Sequence, residues 1–223
     1  MNKRAWFLWM TVLFLFAGIV REAGAEETEG KWAIGLRGGG AFLSQEPDLL
    51  GDFKGKNGPI VSGHVLYGLN DLFSLGFDVE WEKHRVKALG FDIGDATTFS
   101  LIPMIEWHGF GPGPFSPYGA FGLGLNINSS RWHNPSIFVD NITIPDQPVP
   151  VTSDFSRASP DNTMAVKIGF GADYFVTRHL ALNAEVGWKL NQGEVDLCSP
   201  SGCRSVRWNA SVATALLGLR YYF

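Results

Sequence analysis

The sequence predicts an all-β fold, an eight-stranded antiparallel up-and-down transmembrane β-barrel. Apolar and polar residues alternate with period two in eight segments. The connections between these segments are long and short in strict turn, as an up-and-down barrel requires. After the first 25 residues no stretch approaches the ~20 apolar residues of a membrane helix, so any passage through a bilayer uses strands. Glycine is abundant at 27, much of it inside the alternating segments, where a tightly curved sheet tolerates missing side chains.

The first segment alternates outward Trp32, Ile34 and Leu36 with Lys31, Ala33, Gly35 and Arg37. In the second, Val61, Val65, Tyr67 and Leu69 alternate with Ser62, His64 and Gly68. The third is the clearest: Phe73, Leu75, Phe77, Val79 and Trp81 oppose Ser74, Gly76, Asp78, Glu80 and Glu82. Phe99, Leu101, Ile105 and Trp107 then interleave with Ser100, Glu106 and His108, and Phe121 to Ile127 with Ala120, Gly122, Gly124 and Asn126. Val166, Ile168, Phe170 and Tyr174 oppose Lys167, Gly169, Gly171 and Asp173. Leu180, Leu182, Val186, Trp188 and Leu190 oppose Asn183, Glu185 and Lys189. The last segment sets Leu217, Leu219, Tyr221 and Phe223 against Gly218 and Arg220. In a barrel the apolar phase faces lipid and the polar phase faces the lumen.

Long polar connections are expected near 46–57, 86–95, 130–161 and 192–205, and short turns near 69–72, 109–116 and 176–179. With both termini in the periplasm, the long connections become extracellular. Alternating strand directions then place Trp32, Tyr67, Phe73, Trp107, Tyr174 and Tyr221 at the periplasmic rim, and Trp81 and Trp188 at the outer rim. Two such aromatic girdles belong to a membrane barrel. Phe223 falls in the outward phase and closes the last strand, the setting of a terminal signal read by the outer-membrane assembly machinery. The 130–161 connection, with Pro135, Pro145, Pro148, Pro150 and Pro160, is long enough to suggest a flap or a surface contact.

Residues 1–25 read as a cleaved signal peptide: Lys3 and Arg4, the apolar run Ala5 to Val20, then Ala23-Gly24-Ala25. Residues 26–223 form the barrel domain. The expected location is the outer membrane. Cleavage removes Lys3, Arg4, Arg21 and Glu22 from 18 basic and 22 acidic residues, leaving a formal charge of −6. That balance argues against nucleic acid, which needs a basic footprint. The expected partners are membrane lipids and lipopolysaccharide, with the chain monomeric. Cys198 and Cys203, in an exported chain, form a disulfide across a Pro/Gly turn or, alternatively, a metal pair, although no histidine lies nearby in sequence.

Eight strands leave an interior barely wide enough for side chains. The inward phase fills it with Arg37, His64, Asp78, Glu80, Glu82, Glu106, His108, Lys167, Asp173, Glu185, Lys189 and Arg220. Confined charges are costly unless paired, so a bridged network that fills the lumen is expected. A gated polar path, or a proton switch through His64 and His108, is the alternative. Ser62 and His64, with Glu80 or Glu106, have the composition of a hydrolase trio but no catalytic signature around them. Glu106 and His108 form a metal-ligand pair in type only. The sequence therefore points to no catalytic residue, no cofactor and no metal.

Phe115-Ser116-Pro117-Tyr118-Gly119-Ala120-Phe121-Gly122-Leu123-Gly124 looks like the opening of a mid-barrel strand in OmpW-like proteins. Gly171 to Asn183 looks like the hairpin before the last two strands. On these motifs and the overall pattern, the mature chain resembles the small outer-membrane β-barrel superfamily, OmpW-, OmpX- and OmpA-barrel-like. That resemblance implies envelope structure or surface interaction, or a narrow channel for small apolar solutes. Some small outer-membrane barrels modify lipid A, which gives an acyl hydrolase or transferase as a further alternative.

Overall fold

A computed structural model of the chain describes residues 29–44, 53–88, 91–109, 114–132, 157–199 and 202–223. The expected signal peptide lies outside the described residues, as does 133–156 of the long connection. Twelve strands are present among the described residues: β1 (Trp32–Leu43), β2 (Phe53–Gly55), β3 (Gly58–Gly68), β4 (Phe73–Ala88), β5 (Phe91–His108), β6 (Phe115–Trp132), β7 (Arg157–Pro160), β8 (Thr163–Phe175), β9 (Leu180–Leu190), β10 (Gln192–Ser199), β11 (Gly202–Asn209) and β12 (Val212–Tyr222). Eight of them close a barrel in the order β1-β3-β4-β5-β6-β8-β9-β12, and β12 returns to β1. Every neighbouring pair is antiparallel.

The barrel is inside-out relative to a soluble protein. Leu217 is 71% exposed and Phe170 66%, whereas Arg220, Asp78 and Glu80 are wholly buried. The apolar phase of each strand faces outward because lipid surrounds it; the polar phase fills the lumen. Trp32, Tyr67, Phe73, Trp107, Tyr221 and Phe223 stand on the outer surface at the end with the short turns, and Trp81 and Trp188 at the end with the long connections. Tyr174 is half-buried at the turn end. Trp32 packs on Tyr67 at 5.0 Å between ring centroids, and Tyr221 meets Phe223 edge-on at 5.1 Å. Phe223 donates its backbone N–H to Trp32 O at 2.8 Å, so the last residue closes the seam.

The short turns are tight for chemical reasons. Asn70 Oδ1 accepts from the N–H groups of Leu72 and Phe73 at 2.9 and 2.8 Å, an Asx-type turn. Thr177 Oγ1 does the same for His179 and Leu180 at 3.3 and 3.0 Å.

At the other end the strands run further than alternation foretold. The 86–95 connection is largely a continued β4–β5 ladder, paired through Ala88 and Phe91, with a register shift between Val86 and Lys87. The 192–205 connection is mostly hairpin: β10 pairs β11 from Gln192–Asn209 to Ser199–Gly202, and β7 lies along β10. Cys198 and Cys203 face each other in that register and form a disulfide. Pairing outlasts the hydrophobic signal here because, beyond the lipid, neither face has to be apolar. Backbone hydrogen bonds continue where the apolar outward phase has stopped.

Closure leaves little room at the seam. A Cβ added at Gly218 would lie 2.0 Å from Leu36 O, 2.7 Å from Arg37 Cα and 2.8 Å from Arg37 Cγ. The missing side chain lets the β1 backbone and the Arg37 stem approach β12 closely. Gly218→Val should therefore cost at least about 1–3 kcal/mol as an overpacked site. Weaker heat-modifiability on SDS gels and an earlier urea midpoint in vesicles would register it; wild-type behaviour in both would show that the seam can relax.

Candidate functional site

Barrel closure converges the inward phase of six strands, β1, β4, β5, β8, β9 and β12, on one charged layer. Six carboxylates (Asp78, Glu80, Glu82, Glu106, Asp173, Glu185) and four cations (Arg37, Lys167, Lys189, Arg220) are each 2% exposed or less. Two clusters organise them. In the first, Arg37 forms an ion pair with Glu185 and another with Asp78, 2.7 Å away. Lys167 Nζ lies 2.7 Å from Asp78, 2.7 Å from Glu80 and 2.9 Å from Glu185. Lys189 carries the chain onward, 2.9 Å from Glu80 and 3.3 Å from Glu82, and donates to Ser100 at 2.9 Å.

The second cluster is built on Arg220. Its fork donates to both oxygens of Glu106, at 3.0 and 2.9 Å, and to Asp173 at 2.6 Å. Asp173 also accepts from Tyr222 Oη at 2.8 Å and Asn183 Nδ2 at 2.7 Å. The guanidinium sits 4.9 Å over the Tyr118 ring, a cation–π contact. Tyr118 Oη accepts from Asn183 at 2.9 Å and donates to Glu185 at 3.1 Å, joining the two clusters.

The residues with hydrolase composition are not assembled as a trio. Ser62 Oγ accepts from Arg37 at 2.9 Å and donates to Asp78 at 2.6 Å. His64 Nε2 accepts from Arg220 Nε at 2.9 Å. Arginine has no acceptor, so that nitrogen's lone pair is already engaged. His108 Nε2 lies 3.4 Å from Ser74 Oγ and 3.5 Å from Glu106 Oε2. Among the described residues, no three His, Cys, Asp or Glu side chains are arranged to hold a metal ion.

Sequence reasoning missed a neutral polar layer nearer the long connections. Asn128 and Asn191 bond each other at 3.0 and 3.2 Å. Thr98 donates to Asn128 at 2.8 Å, Thr163 to Asn191 at 2.6 Å, and Ser100 to Asn126 at 2.7 Å. Tyr118 and Tyr222 were missed as well. All lie in the inward phase, so parity marked them; a search restricted to charge passed over them. Apolar groups close the lumen at both ends: Ala33, Leu66, Phe175, Ala181 and Tyr222 by the turns, and Ala41, Ile60, Val212 and Leu216 by the long connections.

These features define a transmembrane β-barrel whose lumen is filled by its own paired charges. The chain belongs to the family of outer-membrane protein β-barrel domains, whose model matches residues 10–196, and so to the outer membrane. The fold is shared with OprG of Pseudomonas aeruginosa, at 14% identity over 88% of this chain and 97% of that one, with a TM-score of 0.69. AlkL, solved in lipid bilayers, is similar at 14% identity over 89% and 92%, with a TM-score of 0.56. Neisserial surface protein A is similar at 14% identity over 87% and 98%, with a TM-score of 0.51. No curated protein matches the chain by sequence.

Breaking a buried pair from one side leaves an uncompensated charge, at a cost of about 3–5 kcal/mol. Arg220→Met should destabilise the barrel by about that amount in urea unfolding from lipid vesicles. Adding Glu106→Gln and Asp173→Asn should restore much of the loss. Failure to restore it would mean that Arg220 acts mainly by packing on Tyr118.

Proposed function

We propose that this protein is a sealed, non-catalytic outer-membrane barrel that serves envelope structure and presents its long connections as an interaction surface. One observation carries the reading: the lumen is closed by a layer in which Arg37, Lys167, Lys189 and Arg220 are each bound to two or more carboxylates. An ion or solute crossing the barrel would have to part these pairs in a confined, poorly hydrated space, at several kcal/mol each. Lipid A hydrolysis or acyl transfer is disfavoured because Ser62 Oγ is engaged by Arg37 and Asp78 and His64 Nε2 by Arg220, so the two do not bond each other.

In this reading the signal peptide is cleaved after Ala25 and both termini face the periplasm. Phe223 is read by the assembly machinery, and the barrel stands as a monomer among phospholipid and lipopolysaccharide. The β10–β11 hairpin, tied by Cys198–Cys203 and flanked by β7, projects outside the cell as a rigid platform.

A second reading, passage of small apolar solutes, draws support from the apolar lining at the outer mouth, Ala41, Ile60, Val212 and Leu216. The charged layer blocks a straight path, so exit would be sideways. Ile102 and Pro103 lack ladder partners in β6, and Pro103 has no N–H to offer.

Conductance separates the sealed barrel from a pore. Protein extracted from outer membranes and reconstituted in planar bilayers should stay silent while giving a folded, heat-modifiable band. Reproducible unitary openings from the same preparation would refute the sealed reading.

A further inference from the structure

Above the outer aromatic belt, the surface of β4, β5 and β6 is charged on the side where the strands face lipid lower down. On β4, Lys83 and Arg85 follow Trp81 in the outward phase. On β6, Ser129 and Arg131 follow Ile127 in the same way. The register sets them side by side: Lys83 pairs with Thr97 and Thr97 with Ser129, while Arg85 pairs with Asp95 and Asp95 with Arg131. Arg85 and Arg131 are exposed and Lys83 is half-buried. Lys83 Nζ lies 2.8 Å from Asp95 Oδ2, with the lysine side chain 42% exposed and the aspartate 15%. Lys83, Arg85 and Arg131 thus share a patch with Asp95 among the described side chains.

Their height is set by the strand rise. Lys83 lies two residues beyond Trp81 and Arg85 four, about 7 and 13 Å along the strand and less along the tilted barrel axis. The polar headgroup zone extends roughly 5–7 Å beyond the hydrocarbon on each side, within reach of long basic side chains that snorkel. Arg85 and Arg131 are about 10 Å apart across two strand spacings, so both can converge on one anionic group. Across the barrel the exposed positions just before β8 are Asp161 and Asn162, and those on β10 are Gln192 and Glu194, the latter paired with Arg207 of β11.

We propose that Lys83, Arg85 and Arg131 form a binding site for the phosphate groups of lipid A in the outer leaflet, a site that rests on the membrane orientation proposed above. The acyl chains lie along outward Trp81, Phe99 and Ile127 below, while the guanidinium groups take the phosphate oxygens in forked hydrogen bonds. Thr97 and Ser129 continue the row of Lys83, with Ser129 Oγ donating to Thr97 O at 3.4 Å. Asp95 holds Lys83 in place and weakens its charge toward the ligand. Lipid A is the occupant because the patch sits at headgroup height on the lipid-facing surface and needs an anion with an apolar body beneath it.

Cell fractionation followed by native mass spectrometry of membrane-extracted protein tests the site. The probes are lipid A carrying both phosphates, dephosphorylated lipid A, and inorganic phosphate as competitor. Wild type should retain the phosphorylated form selectively. Lys83→Gln/Arg85→Gln/Arg131→Gln should retain it about tenfold less or weaker still, and the single Arg85→Gln and Arg131→Gln variants should fall between. Asp95→Asn should bind more tightly than wild type, a gain that loss of structure would not produce. Arg178→Gln, at the periplasmic rim, should behave as wild type. Equal retention of dephosphorylated lipid A, unchanged retention in the triple variant, or displacement by inorganic phosphate at equal concentration would each overturn the site. Absence of the protein from the outer-membrane fraction would instead overturn the membrane orientation, so the two failures are distinguishable.

Discussion

Charge pairing inside a closed, narrow lumen is the constraint on which the rest of this structure depends. Ten ionisable side chains share the interior of an eight-stranded barrel, and a charge on any of them would be prohibitively costly alone. They are tolerable only if the strands stand in the register that brings each cation to its carboxylates. A slip of one residue in any of the six strands that carry them would turn its charges into lipid and its apolar residues into the lumen. The network therefore does more to select one register than to add net stability, since buried ion pairs often only break even against apolar packing.

The same constraint shapes the layers around it. The charged zone is held between an apolar floor, where Phe175 and Tyr222 pack at 5.2 Å between rings, and the amide–hydroxyl layer of Asn126, Asn128, Thr163 and Asn191. Floor and cover restrict water, which strengthens the pairs and raises the cost of breaking any of them. Six carboxylates against four permanent cations leave the lumen acidic, and Glu82 is the residue least well served: neither of its oxygens accepts a hydrogen bond, although Lys189 stands 3.3 Å away. The basic surface on β4 and β6 is of the opposite sign and lies outside the barrel wall. Adjacent residues on one strand thus meet two different environments, as Glu82 and Lys83 do.

Parity along each strand was legible in the sequence because the two sides of a membrane barrel differ so sharply in solvent. Arg37, Asp78, Glu106 and Arg220 sit among apolar neighbours at alternate positions, and that spacing alone placed them in the lumen. Long strand extensions were not legible. Lys83-His84-Arg85 carries polar residues on both faces, so period two vanishes although hydrogen bonding continues. In Gln192–Ser199 alternation persists, but Gln192, Glu194 and Asp196 occupy the phase that is exposed and largely apolar on β9, so the segment does not read as a membrane strand. The hydroxyl and amide residues were equally marked by phase, but charge was the criterion applied, and Tyr118 and Asn126 escaped it.

By itself the sequence determined the fold class and the inward or outward side of the residues along the alternating segments. Both follow from local periodicity and from the rule that backbone polar groups in lipid must be paired. Which charge meets which was decided only by closure of the barrel. Arg37 and Glu185 are 148 residues apart, and Arg220 and Glu106 are separated by 114. Nothing local distinguishes these partners from other acids of the same phase. Strand order, shear and the register of β12 on β1 bring them within hydrogen-bond reach, and those are properties of the closed sheet rather than of any segment.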